Sequence, residues 1–238
     1  MELTNRQKDI LEGIVSEYIK QACPVSSQML QELHDFGVSP ATLRNEMMFL
    51  SRQGFLRKPH ASSGRVPTDG GYRFFVDEIL EKKQRIEENS KLQEALAGDM
   101  PDALEFAAFG ARNLAQLSSG LVAMSLESSG ILWKEGWEEL LEEPEFEDQG
   151  SIKSFARFLG DFEKNVQTLE AGSEIQVFIG KENPFSRINE FSIMIAGCDT
   201  SEHGKGIAAI LGPKRMAYTK NIKALNAFKD IWKKNKRN

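Results

Sequence analysis

Residues 38–73 constrain this 238-residue chain more than any other stretch. They run Val-Ser-Pro-Ala-Thr-Leu-Arg-Asn-Glu-Met, then Gly-Phe-Leu-Arg-Lys-Pro-His-Ala-Ser-Ser-Gly-Arg-Val-Pro-Thr, and close on Asp-Gly-Gly-Tyr-Arg. Ser39 is a good helix N-cap, and Pro40 fits the first turn, where an N–H would lack a partner anyway. At ~100° per residue, Leu43, Met47 and Leu50 share one arc and should face inward. Ala41, Asn45 and Arg52 fall on the opposite side, with Thr42 and Arg44 flanking. Gly54 stops the helix. Residues 55–58 and 65–67 then read as two strands around a polar loop with basic rims. A capped helix bearing Arg and Asn, followed by a basic hairpin, predicts a winged helix-turn-helix that sits on a DNA duplex.

The flanking sequence supplies the rest of such a unit. A first helix is expected over residues 5–20, with Thr4 and Gln7 forming a capping box. Ile10, Leu11, Ile14, Val15, Tyr18 and Ile19 make its apolar face. Pro24 ends the connection, and Ser26 and Ser27 can cap a shorter helix with Met29, Leu30 and Leu33 inward. Gly37 stands at a plausible left-handed turn. Thr68 should cap a fourth helix, with Phe74, Phe75, Ile79 and Leu80 on a partly apolar face. That helix is expected to continue to about residue 97, where Gly98-Asp99-Met100-Pro101 breaks it.

These signals divide the chain into a winged-helix domain (1–80), a helical linker (81–101) and an α+β domain (102–238). In the last, helices are expected over 103–118, 152–166 and 220–232, and strands over 120–126, 174–179, 191–195 and 206–211. Strands mixed with helices in this order give the α+β class.

The net charge of −5 suits a nucleic-acid binder only once it is divided. Between residues 44 and 73, Arg44, Arg52, Arg57, Lys58, Arg65 and Arg73 face only Glu46 and Asp69. The acidity lies later, above all in residues 135–148, which read as a solvated face rather than a paired-carboxylate site. Local field steers a protein to phosphate. The two cysteines, Cys23 and Cys198, suggest no disulfide framework. No apolar run approaches the ~20 residues of a membrane span. The polar N-terminus lacks a signal-peptide pattern. A cytoplasmic protein is expected, without membrane contact. His34, His60 and His203 are dispersed, Gly204-Lys205-Gly206 is too short for a phosphate loop, and no nucleophile or acid–base pair stands out. No metal, cofactor or catalytic residue is expected. Lys233, Lys234, Lys236 and Arg237 form a basic tail.

Arg44 and Asn45 are the candidates for base edges or adjacent phosphates, with Thr42 and Arg52 beside them. In the hairpin, His60, Ser62, Ser63 and Arg65 are candidates for the phosphate backbone. Ser26, Ser27 and Ser39 cap helices whose N-termini can bind phosphate. Tyr72 and Arg73 can either support the core or touch the backbone.

These residues resemble the heat-inducible transcription repressor family HrcA. The likeness rests on Leu3-Thr4-Asn5-Arg6-Gln7, Pro24-Val25-Ser26-Ser27, Val38-Ser39-Pro40-Ala41-Thr42, Arg44-Asn45-Glu46-Met47 and Gly54-Phe55-Leu56. It extends to Ser62-Ser63-Gly64-Arg65 and Thr68-Asp69-Gly70-Gly71-Tyr72-Arg73-Phe74, and resumes at residues 140–146, 179–184 and 206–218. The resemblance implies a homodimer that binds an inverted-repeat operator in double-stranded DNA and represses chaperone genes until heat stress. It also implies a chaperonin partner that keeps the repressor active, and a GAF-like C-terminal domain. After Leu126 the chain moves quickly to Trp133, so it reads as a shortened member without the family's inserted dimerising segment. Ser51-Arg52 stands where the family is usually acidic. The alternative function is a ligand-responsive winged-helix regulator whose GAF-like domain holds a small molecule.

Overall fold

The structure is a computed structural model that describes residues 3–82, 103–118, 120–127, 130–166, 169, 172, 174–200 and 204–234. Most of the expected linker, and Lys236 and Arg237 of the basic tail, lie outside the described residues. Chain contacts define two compact units, Met1–Arg85 and Ile86–Asn238.

The first unit begins with α1 (Asn5–Gln21), α2 (Ser27–Leu33) and α3 (Pro40–Arg52). Each starts where a side chain meets an orphan backbone N–H. Thr4 Oγ1 accepts from Gln7 N at 3.3 Å, while Gln7 Oε1 accepts from Thr4 N at 3.1 Å. Ser26 Oγ accepts from Met29 N at 3.0 Å, and Ser39 Oγ from Thr42 N at 3.2 Å. Of the two serines at residues 26 and 27, Ser26 is therefore the cap. Gly37 and Gly54 turn the chain after α2 and α3 at φ +63° and +84°, a region glycine enters without strain.

A two-stranded antiparallel hairpin follows, β1 (Leu56–Arg57) and β2 (Val66–Pro67), and then α4 (Asp69–Lys82). The strands are shorter than the sequence suggested. Pro67 has no N–H to give the ladder, and Arg65 pairs instead with Val25, through N–O contacts of 2.9 and 2.8 Å. Gly64 permits this approach, because a Cβ there would lie 2.4 Å from the Val25 carbonyl oxygen. Ile10, Leu11, Ile14 and Val15 of α1 are fully buried with Val25, Leu30 and Leu50, alongside Leu43, Met47, Leu56, Val66, Phe75 and Val76. Leu33, expected on the inner face of α2, is 51% exposed. The seven-residue helix ends there, one turn past Leu30, and leaves the core.

The second unit opens with α5 (Ala103–Leu117), then β3 (Leu121–Leu126) and β4 (Leu132–Glu135). Next come α6 (Trp137–Leu141), a 3-10 turn at Pro144–Phe146 and α7 (Gln149–Asn165). It ends with β5 (Gln176–Ile179), β6 (Phe191–Thr200), β7 (Gly204–Pro213) and α8 (Tyr218–Lys234). One antiparallel sheet in the order β4-β3-β7-β6-β5 forms its centre. The chain is thus of the α+β class.

Alternate residues of each strand serve opposite faces. Leu121, Ala123, Phe191, Ile193, Ile195, Ala209 and Leu211 join Phe155, Phe158, Leu159 and Phe162 of α7 in one buried cluster. Phe155 and Phe191 meet edge to face at 5.1 Å. The helices α5 and α8 pack together, α5 against β3 and α8 against β6. Gly110 permits their crossing, since a Cβ there would meet the Phe228 ring at 2.3 Å. Such a two-sided core explains why every residue of β3 is buried.

The acidic run is not wholly a solvated face. Glu143 and Glu145 grip Arg215, which is 8% exposed. Arg215 Nε donates to Glu145 Oε1 at 2.7 Å, and Nη2 donates to Glu145 Oε2 at 2.8 Å and also to Glu143 Oε2. Burial lowers the guanidinium pKa, but the two carboxylates outweigh it and hold it above its ordinary value. Spacing could not reveal this cluster, because the partners lie 70 and 72 residues apart.

Candidate nucleic-acid interface

The inner arc of α3 is anchored as its periodicity predicts, with Leu43, Met47 and Leu50 buried. Its opposite side exposes Ala41, Arg44, Asn45, Met48 and Arg52. The one carboxylate of the helix is drawn away toward α1. Glu46 lies 3.5 Å from Arg6 and 3.0 Å from the amide nitrogen of Gln7. Among the described residues no carboxylate pairs with Arg44, Arg52 or Arg57. An exposed guanidinium with no internal partner keeps its full donor set for phosphate or for a guanine edge.

The hairpin is tied to this helix through one side chain. Arg65 Nε donates to Ser51 Oγ at 2.9 Å, and Ser51 Oγ donates back to the Met47 carbonyl at 2.9 Å. Arg65 is thus held half-buried between β2 and the end of α3. The hairpin tip is a compact turn closed by Ser63. Its hydroxyl accepts from His60 N at 3.0 Å and donates to the His60 carbonyl at 2.9 Å. Lys58 Nζ caps the Ala61 carbonyl. His60, Ala61 and Ser62 are left exposed at the tip.

The expected contact residues therefore separate by place. Arg44, Asn45 and Arg52 share the exposed side of α3, while His60 and Ser62 sit at the hairpin tip. Arg65 lies where hairpin and helix meet. Ser26, Ser39 and Ser63 hold local structure with their hydroxyls, and Thr42, half-buried, meets Ser39 Oγ at 3.0 Å. Ser27 is the first residue of α2, half-buried beside its cap. Arg73 pairs with Asp77 at 3.3 Å one turn along α4.

Tyr72 requires a correction. It is 3% exposed and belongs to the core, one turn from Val76, so its ring supports α4 rather than meeting a duplex. Met48, by contrast, was not among the expected contacts. Periodicity alone places it with Asn45 and Arg52, and it is 41% exposed between them. Arg57 on β1 and Lys58 just after it are also exposed; their charge was visible in the sequence but their exposure was not.

In the second unit Met124, Ser125, Ile207, Phe228 and Trp232 line a gap too tight to admit a water molecule. Ligand pockets typically hold roughly 300–1,000 Å³. Among the described residues no group of His, Cys, Asp and Glu could hold a metal ion, and no described helix is long and apolar enough to cross a membrane.

A family model for the HrcA protein C-terminal domain matches residues 75–222, more than half of the chain. The chain belongs to the HrcA family. The heat-inducible transcription repressor HrcA of Natranaerobius thermophilus is 28% identical, over 93% of this chain and 94% of that protein. Its match runs over 322 residues, more than this chain possesses, so internal positions of that HrcA have no counterpart here. The HrcA repressor of Rhodococcus erythropolis is 42% identical over 133 residues, 53% of this chain and 38% of that one. A solved crystal structure of a hypothetical protein shares the fold at TM-score 0.84 and 21% identity, covering 98% of this chain and 99% of that one. HrcA is a family of transcription repressors, not of enzymes.

Proposed function

We propose that this chain is a heat-inducible transcription repressor that binds an inverted-repeat operator as a homodimer. In this reading α1–α3 and the β1–β2 hairpin form a winged helix-turn-helix. The outward side of α3, with Arg44, Asn45, Met48 and Arg52, enters the major groove. The hairpin, with Arg57, Lys58, His60, Ser62 and Arg65, lies along the phosphate backbone. The supporting observation is the exposed row of guanidinium groups on α3 with no carboxylate partner. One such unit reads only a few base pairs, so selective binding requires two copies at fixed spacing. The α+β unit, GAF-like in this reading, supplies the pairing. A chaperonin that sustains repression until heat stress is part of the same proposal.

A footprint of the purified protein on DNA upstream of chaperone genes tests it. The expected result is protection of both arms of an inverted repeat. Affinity should fall with salt at a slope of about −0.9 per neutralised phosphate. Footprints with and without chaperonin test the second partner, whose presence should extend protection. No retardation of any fragment at ~50 mM salt, where even sequence-independent binding is strong, would overturn the proposal.

A further inference from the structure

Four of the seven large hydrophobic side chains exposed among the described residues fall in one short stretch of the second unit: Ile131, Trp137, Leu141 and Ile152. Trp137 and Leu141 stand one turn apart on α6, at 41% and 47% exposure. The Trp137 ring packs edge-on against Phe155 of α7 at 6.2 Å, while Phe155 itself is buried. Ile152 lies one turn before Phe155 and is 41% exposed. Lys134 reaches from β4 to Glu163 of α7 at 2.5 Å, fixing this helix beside the strand that leads into α6. Joined through the Trp137–Phe155 contact, α6 and α7 thus both expose large apolar side chains. Patches of this kind mark interaction sites.

The charges around it have opposite sign on the two helices. Glu138, Glu139 and Glu142 flank Trp137 and Leu141, whereas α7 exposes Lys153, Arg157 and Lys164 on its outer side. None of these six pairs with another described residue. A two-fold axis through the apolar surface would set the acids of each α6 against the bases of the other α7, satisfying both sets twice. A foreign basic partner would answer only the α6 half and leave the α7 cations facing like charge. We infer that the α6–α7 face is where two copies of this chain pair. The inference rests on the dimeric reading above and assigns it a surface.

Sedimentation equilibrium of the full chain tests it, with circular dichroism to verify folding. Glu138→Lys with Glu142→Lys, and separately Lys153→Glu with Arg157→Glu, should each weaken the dimer at least ~10-fold, as like charges meet across the axis. Combining all four should restore it to within ~3-fold, because the charges are then exchanged and matched again. Trp137→Glu should give a folded monomer. A dimer that both charge pairs leave unchanged places the interface elsewhere, overturning the inference while the dimeric reading stands. Failure of the four-fold variant to recover overturns it as well. A wild type that is monomeric both free and on its DNA overturns the two together.

Discussion

Two arginine populations distinguish the halves of this molecule. Arg44 and Arg52 in the first unit are exposed, on a helix whose only carboxylate is turned toward α1. Arg215 in the second unit is buried against Glu143 and Glu145. The same side chain is left facing outward in one half and serves as an internal tie in the other. Burial and partner supply decide which. The contrast also separates binding from stability: a guanidinium with nothing to hold it can be removed without harming the fold, and a buried one that neutralises two half-buried acids cannot.

The strongest test of that contrast is Arg215→Ala. Leaving two carboxylates around an empty site should cost about 3–5 kcal/mol of stability, read as a lower urea midpoint. A loss under ~1 kcal/mol would show that the cluster is better hydrated than its burial suggests. Arg44→Ala should behave inversely. Operator binding should weaken by about 1–3 kcal/mol, with selectivity relaxed at one base pair, while stability stays within ~0.5 kcal/mol of wild type. Unchanged affinity and selectivity would remove Arg44 from the interface. Ser39→Ala touches both sides of the comparison more gently, because it uncaps α3 and should cost ~1 kcal/mol of stability.

The smallest effect concerns Glu17, buried on α1. Burial raises its carboxyl pKa, but hydrogen bonds from Lys20, Gln21 and His34 outweigh that and hold it below its ordinary value. A depressed carboxyl contributes stability above its unfolded pKa of ~4.3 and loses it as pH falls through the folded value. Glu17→Gln should therefore lower stability near neutrality and converge with wild type as pH falls, flattening the acid limb of a stability–pH curve. Parallel curves for the two proteins would contradict this.

The first unit was legible because its signals are local. Thr4 with Gln7, and Ser39 with Pro40, stand at fixed offsets from the helices they begin, and the burial of Leu43, Met47 and Leu50 follows from period alone. Tyr72 was ambiguous because an aromatic with a polar tip suits either a core or a surface. In the second unit the three long helices and the strands β3, β5, β6 and β7 were visible in the apolar pattern, whereas the short α6 lay hidden in the acidic run. The strand β4 was not, since Leu132–Glu135 is short and is held chiefly by its register against β3. β6 was expected to end at Ile195 but continues to Thr200, because backbone pairing with β7 extends it past the apolar run. The Arg215 cluster joins two motifs that looked unrelated along the chain. Met48 was hidden for a different reason: a methionine on a helix is ordinarily taken for core, and only its exposure shows otherwise.

The link from Arg65 to Ser51 sets how sharply the hairpin and α3 act in concert. Because the guanidinium is already latched to the end of the helix, little rotamer freedom remains to be lost in the phosphate contact proposed for it. Breaking the latch with Ser51→Ala leaves every charge in place, yet it converts a preset caliper into two jaws that must find their gap anew at each encounter.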